Sequence, residues 1–200
     1  MEKVKVILTG AQSVGKTTAL NYFKGTFLTP ITEVARNLNK QGVKINEDGD
    51  KSGQDIIFNT YWDKLNQDID YISDRGLTDV IAYTSYLDDM GKINDNHETL
   101  INQLNKLELF IKNNPNAIVV YFPIEFEMVN DGVRSTNESF RTSIDNRIKE
   151  LLNYFYSNYI TVHGTPEERI KQIIDAIDDK IIEGEPRLKM SNLKEHILKL

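Results

Sequence analysis

The chain has 200 residues, 40% of them apolar and 27% charged, with a formal net charge of -6. That balance suits one domain with a core of respectable size and argues against a broad nucleic-acid footprint, while leaving room for one basic pocket for a phosphorylated metabolite. Cysteine is absent, which removes disulfides, thiolate catalysis and zinc–cysteine sites. No run reaches the roughly 18 apolar residues a membrane span needs, and MEKVKVILTG does not read as a secretory leader; a cytoplasmic protein with no membrane partner is expected.

In chain order, the branched run Val4–Thr9 predicts a buried strand, and the glycine-bearing stretch after it opens a helix over Val14–Phe23. Thr26–Thr32 predicts a brief second strand, and Glu33-Val34-Ala35-Arg36 starts another helix. Residues 40–51 are polar and glycine-bearing and read as a long loop, which either covers an acceptor or is an idle excursion. Ser52–Gln67 carries Ile56, Ile57, Tyr61 and Leu65 at helical spacing. Asp70–Ser73 is a short strand ending at Asp74-Arg75-Gly76, and Leu77–Leu87 is helical.

A polar turn then leads into a helix over Thr99–Lys112, and AIVVYF at Ala117–Phe122 is the clearest interior strand, stopped by Pro123. Ile124–Ser139 reads as loop, and Phe140–Phe155 as a helix with Ile144, Ile148, Leu151 and Phe155 on one face. Tyr159–Val162 is the last strand, followed by a helix over Glu167–Ile182 with Pro166 at its first turn. Residues 1–183 are expected to form one unit, with 184–200 a tail that is either a short amphipathic helix or loose. Strands alternating with helices predict an α/β fold: a parallel sheet of about five strands, helices on both faces, and the ligand beyond the carboxyl ends of the strands.

Gly10-Ala11-Gln12-Ser13-Val14-Gly15-Lys16-Thr17 satisfies G-x-x-x-x-G-K-[ST] in full, between a predicted strand and a predicted helix. Gly10 lets the chain leave the strand in a conformation closed to residues with a Cβ, and Gly15 lets the backbone wrap a β-phosphate. The amides from Gln12, Ser13 and Val14 to Thr18 would face the phosphates of ATP. Lys16 would reach the β- and γ-phosphates, and the Thr17 hydroxyl would ligate Mg²⁺. The plain alternative is a chance glycine turn.

Asp74 stands at a strand end, where its carboxylate reaches either a metal or an attacking hydroxyl, and Arg75 beside it suits an anionic group. Glu33, with Arg36 one turn on, begins the second helix near the same cleft, although a helix-start carboxylate is common for dipole reasons alone. Spacing leaves open which of Asp74 and Glu33 activates the acceptor; Asp79 reads as structural or cleft-edge. Arg134, in Asp131-Gly132-Val133-Arg134, is followed by Arg141 and then Arg147, each about two turns after the one before, and guanidiniums suit bidentate phosphate contacts. Arg134 would fold over the phosphates and exclude water. A solvated helix face accounts for Arg147 equally well. At the last corner Gly164 would permit close approach of adenine and Arg169 would stack on it, against a plain capping role for Thr165, Pro166 and Glu168. Phe58, Tyr61 and Trp62 read mainly as packing, with Trp62 a candidate at the acceptor pocket.

Taken in order, the phosphate loop, Glu33-Val34-Ala35-Arg36, Asp74-Arg75-Gly76-Leu77-Thr78-Asp79, Asp131-Gly132-Val133-Arg134 and Gly164-Thr165-Pro166-Glu167-Glu168-Arg169 resemble the AAA_28/NadR-like group of P-loop proteins. That group includes the ribosylnicotinamide kinase domain and related phage and bacterial proteins, and the similarity runs from about Lys3 to Ile182. Asp74-Arg75 is also similar to the D-R pair of deoxynucleoside and thymidylate kinases. The resemblance implies a P-loop NTPase fold of the nucleoside and nucleotide kinase kind, with Arg134 in a lid-like segment at about 124–147. It implies MgATP as phosphoryl donor, Asp74 or Glu33 as base or metal-side carboxylate, and a nucleoside or nucleotide as acceptor. Host cytoplasm is the expected location if the gene is phage-borne, and a homodimer stays open because such domains often pair. No nucleotidyltransferase segment precedes Lys3, so a single activity is expected. The run D-R-G-L departs from the ribosylnicotinamide kinase pattern, which leaves the acceptor open among nicotinamide riboside, (deoxy)nucleosides and their monophosphates. A polynucleotide 5′-end and a regulatory NTP switch are the readings from other classes.

Overall fold

The structure is a computed structural model that describes residues 3–32, 34–127 and 137–182, with side chains as far as 179. Five strands form: β1 Lys5–Thr9, β2 Thr29–Ile31, β3 Tyr71–Asp74, β4 Ile118–Tyr121 and β5 Ile160–Thr161. They make one sheet in the order β2-β3-β1-β4-β5, and every pairing is parallel. Between them run the helices α1 Lys16–Tyr22, α2 Val34–Lys40, α3 Lys51–Leu65, α4 Leu77–Asp89, α5 Glu98–Asn113, α6 Glu138–Phe155 and α7 Pro166–Ile182.

The strands read as unbroken apolar runs because both faces of the sheet are covered. Side chains alternate across β1: Val6 and Leu8 pack with Val120, Phe122, Leu20, Phe23, Ile173 and Ile177 under α1 and α7. Ile7 points the other way, into Phe58, Tyr61, Leu77, Ile81 and Leu107 of α3, α4 and α5. Val119 and Tyr121 of β4 meet Phe140, Ile144 and Ile148 of α6 on that second face. Each such buried side chain contributes about 1.5–3 kcal/mol against leaving it in water.

Element ends differ from the sequence pattern where a local cap decides. The first helix begins at Lys16 rather than Val14, because Ser13 (φ 58) and Gly15 (φ 94) are left-handed and cannot belong to a helix. Asn137 starts α6 at Glu138, its side chain accepting a hydrogen bond from the Phe140 amide at 3.1 Å. Asp50 does the same for α3, accepting from Gly53 N at 2.9 Å. Pro30 is tolerated in β2 because that strand is at the sheet edge and one side of it needs no ladder donor. The long 40–51 loop holds one 3-10 turn, Asn46–Asp48.

The order puts β1 at the centre. Its carboxyl end, and with it the glycine loop, sits between β3 and β2 on one side and β4 and β5 on the other.

Candidate functional site

Gly10 leaves β1 at φ 143, and a Cβ there would lie 2.5 Å from the carbonyl oxygen of Phe122, so only glycine fits. The loop then alternates hand at Ser13 and Gly15, a geometry that turns successive backbone N–H groups toward one concavity. Lys16 is buried, and its ammonium donates to Gly10 O at 2.7 Å and Ala11 O at 2.6 Å, which keeps the charge inside the turn.

Leu8 pairs with Asp74 in the sheet register, which brings the end of β3 beside the loop. The Thr17 hydroxyl donates to Asp74 Oδ2 at 2.5 Å. Tyr61, buried on α3, donates its hydroxyl to the Asp74 backbone oxygen at 3.0 Å, and burial pushes its phenol pKa up. Arg75 adopts φ 88, left-handed for a non-glycine residue, a conformation that costs on the order of 1–3 kcal/mol and needs local restraint. That restraint comes from Asp79 at 3.2 Å, from Gly10 O at 3.4 Å and from the face of Tyr83. Fully buried Asp79 also accepts from Gly76 N at 3.0 Å and Gly10 N at 3.3 Å. It therefore ties the start of the loop to the start of α4.

Two expected ligand arginines have a different task. Arg141 is 1% exposed; its Nε donates to Gln12 O at 3.0 Å and a terminal nitrogen to Ser13 O at 3.1 Å. Arg169 is 2% exposed and donates to Val14 O at 2.7 Å and Gly164 O at 3.0 Å, with Glu125 as its ion-pair partner. Three successive loop carbonyls, 12 to 14, are thus held from outside by buried guanidiniums of α6 and α7. Arg141 spends its guanidinium on loop carbonyls and is almost fully enclosed, and Arg169 is as enclosed, between Phe122 and Phe126. Arg147 pairs with Asp89 and Ser85 on the surface of α4.

A cleft of about 440 Å³ runs across the loop. Its floor is Gln12 to Ala19, including Ser13, Val14, Gly15, Thr17 and Thr18; one end carries Arg36, Asn46, Tyr61, Asp74 and Arg75, and the other Phe126, Glu127, Pro166 and Arg169. Ile45 and Asn46 show that the 40–51 loop borders this cleft. Trp62 is not part of it: the indole packs under Lys106 on the outer side of α3, and its neighbour Tyr61 faces the cleft. Gly164 is also outside the wall. It turns at φ 91 against Glu168, in the capping arrangement of Thr165 and Glu168, and next to it His163 Nδ1 lies 2.5 Å from Glu125. Glu33, Arg134 and the tail 184–200 lie outside the described residues.

Among the described residues no three His, Asp or Glu side chains cluster as a metal cage. A hydroxyl and a carboxylate in contact nonetheless match what Mg²⁺ takes from protein when phosphates and water supply its other ligands, so Thr17 and Asp74 fit that ion. No helix among the described residues is long and apolar enough to cross a membrane.

Tyr61, Asn46 and Phe126 line the cleft without a site role expected from the sequence, and Tyr83 backs Arg75, whereas Asp79 takes the structural place expected of it. The adjacency of Tyr61 to Trp62 was the one available signal, since only one of two successive helical residues can share a given face.

No curated protein sequence matches the chain. Among solved structures, NadR in complex with NR superposes with a TM-score of 0.66 at 16% identity, over 93% of this chain and 54% of its own. The chain therefore spans about half the length of that structure. Deoxyadenosine kinase from M. mycoides, solved with dCMP and a flexible dCDP, gives 0.58 at 15% identity over 88% of this chain and 99% of its own. YorR from Bacillus subtilis, solved with phosphorylated GDP, gives 0.55 at 15% identity over 92% of this chain and 100% of its own. These likenesses establish a P-loop, nucleoside-and-nucleotide-kinase-like α/β fold. The AAA_28 family, an AAA domain, matches residues 5–169, and on that match over most of its length this chain belongs to the AAA_28 family.

Proposed function

We propose that this chain is an ATP-dependent kinase that transfers a phosphoryl group to a small nucleoside-type acceptor, such as nicotinamide riboside or a (deoxy)nucleoside. The observation that carries this reading is the contact of Thr17 with Asp74 at 2.5 Å, in the middle of a cleft with walls on both sides of the phosphate loop. Phosphoryl transfer asks a protein mainly for positioning and for charge complementary to three phosphate oxygens. The loop amides and Lys16 hold the triphosphate, and the end lined by Arg36, Asn46, Tyr61 and Asp74 receives the acceptor. Thr17 and Asp74 would hold Mg²⁺, which would neutralise charge on the transferred group. With Asp74 engaged on that side, activation of the acceptor hydroxyl falls to Glu33, the residue before Val34 on the acceptor wall. Arg134 would close over the transferring group.

The proteins similar in shape support the same class: NadR is solved with NR and with NAD and AMP-PNP, and the deoxyadenosine kinase with dCMP and dCDP. One observation favours a second acceptor, a nucleoside monophosphate, namely that Arg36 lines the acceptor end and a guanidinium suits a phosphate.

The test is a transfer screen with labelled ATP and Mg²⁺ against nicotinamide riboside, ribo- and deoxynucleosides, their monophosphates and a 5′-hydroxyl oligonucleotide, with Lys16→Ala as blank. Labelled product from one small acceptor is expected, and Glu33→Gln should lower its rate by about 10²–10⁴-fold. ATP binding with transfer to none of the panel would overturn the kinase reading in favour of an NTP-driven switch.

A further inference from the structure

We propose that Phe126 is the stacking platform for the nucleobase of the triphosphate, an inference that rests on the nucleotide-binding reading above. The sheet order divides the cleft. Asp74, Arg75 and Arg36 lie over β3 and β2, so a triphosphate whose terminal phosphate meets Asp74 must extend its base across the loop toward β4 and β5. The wall there is Phe126, Glu127, Pro166 and Arg169. Phe126 is its one aromatic residue among the described residues, and it is 46% exposed although it is a large apolar side chain.

What backs the ring separates it from an incidental exposed phenylalanine. The Arg169 guanidinium lies 4.7 Å from the Phe126 centroid and 5.6 Å from that of buried Phe122. That guanidinium is held in turn by Val14 O, Gly164 O and the Glu125 carboxylate. Ring and phosphate loop are therefore fixed to one another through a single buried arginine, and the uncovered part of the ring borders the cleft. Arg169 itself is too enclosed to meet a base, and Gly164 is outside the wall. A purine laid on Phe126 would rest on a ring already in contact with the Arg169 guanidinium. Stacking reads a π-face and not the hydrogen-bonding edge, so Phe126 contributes equally to adenine and guanine nucleotides.

The experiment is calorimetric titration of the full chain with ATP, GTP and inorganic tripolyphosphate, the last having no base. Phe126→Ala should weaken ATP and GTP by about tenfold or more and leave tripolyphosphate unchanged, while Phe126→Trp should restore both nucleotides. A modest fall in melting temperature is expected for Phe126→Ala, which loses the contact with Arg169, whereas Phe126→Trp keeps an aromatic face there and should melt near wild type. Equal losses for ATP and tripolyphosphate, or no loss at all, would overturn the platform. Lys16→Ala keeps the two readings apart. If it abolishes binding of all three ligands while Phe126→Ala changes nothing, the platform fails alone; if Lys16→Ala leaves ATP binding intact, the nucleotide reading fails with it.

Discussion

Replacing Arg141 by methionine tests whether the phosphate loop is held from outside. Methionine keeps the aliphatic volume of a residue that is 1% exposed and removes only the guanidinium. Two charge-assisted hydrogen bonds are lost, to Gln12 O at 3.0 Å and Ser13 O at 3.1 Å, at about 1.5–3 kcal/mol each. The third contact, to Glu138 at 3.2 Å, adds little because that carboxylate is 58% exposed. Relief from burying a charge offsets part of the loss, leaving a destabilisation of roughly 2–4 kcal/mol. For a chain of this size that corresponds to a fall in Tm of roughly 5–15 °C. Calorimetric melting, checked by a urea transition with unchanged slope, reads it directly. Arg147→Met is the control: its partner Asp89 is 58% exposed, so the loss should be about 1 kcal/mol or less. A shift below about 2 °C for Arg141→Met, or one for Arg147→Met as large as that for Arg141→Met, would refute the brace.

Gly10→Ala should destabilise by roughly 3 kcal/mol or more, because its Cβ meets a backbone oxygen at 2.5 Å and its φ of 143 suits only glycine; a urea midpoint equal to wild type would contradict this. Thr17→Ala and Asp74→Asn should each abolish the gain in ATP affinity that Mg²⁺ confers while sparing Mg²⁺-free binding, by titration with and without EDTA; an intact Mg²⁺ effect in both would remove them from the metal side. His97 is raised above its ordinary 6.5 by its hydrogen bond to Asp88 and by that carboxylate's charge. The stabilisation is fully present below pH 6.5 and is lost as pH rises through the raised value. The Tm gap between wild type and His97→Asn should accordingly narrow as the pH is raised from below 6.5 into the alkaline range, and a constant gap would count against the linkage.

The strands, most helix boundaries and the phosphate loop were legible because each is written in neighbouring residues. A branched run flanked by glycine, a proline at a first helical turn and an eight-residue loop signature are all consequences of local backbone sterics and periodicity. Asp74 was legible for the same reason, as a carboxylate at a strand end. What lay beyond local reading was the choice of partner. Arg141 and Arg169 looked like ligands for phosphate and base, since an arginine near a glycine corner or on a polar helix carries no mark of where its guanidinium will lie. The phosphate-loop carbonyls they hold are 128, 129 and 155 residues away. Trp62 and Tyr61 are adjacent on one helix, and only the rotation of α3 against β3 decides that Tyr61 meets Asp74 while Trp62 meets Lys106. The sequence by itself determined which segments become strand, helix and loop, because those depend on contacts a few residues long. Tertiary structure alone decided which charges were buried and against what, because a guanidinium selects its carbonyl only after packing has removed water as the competing partner.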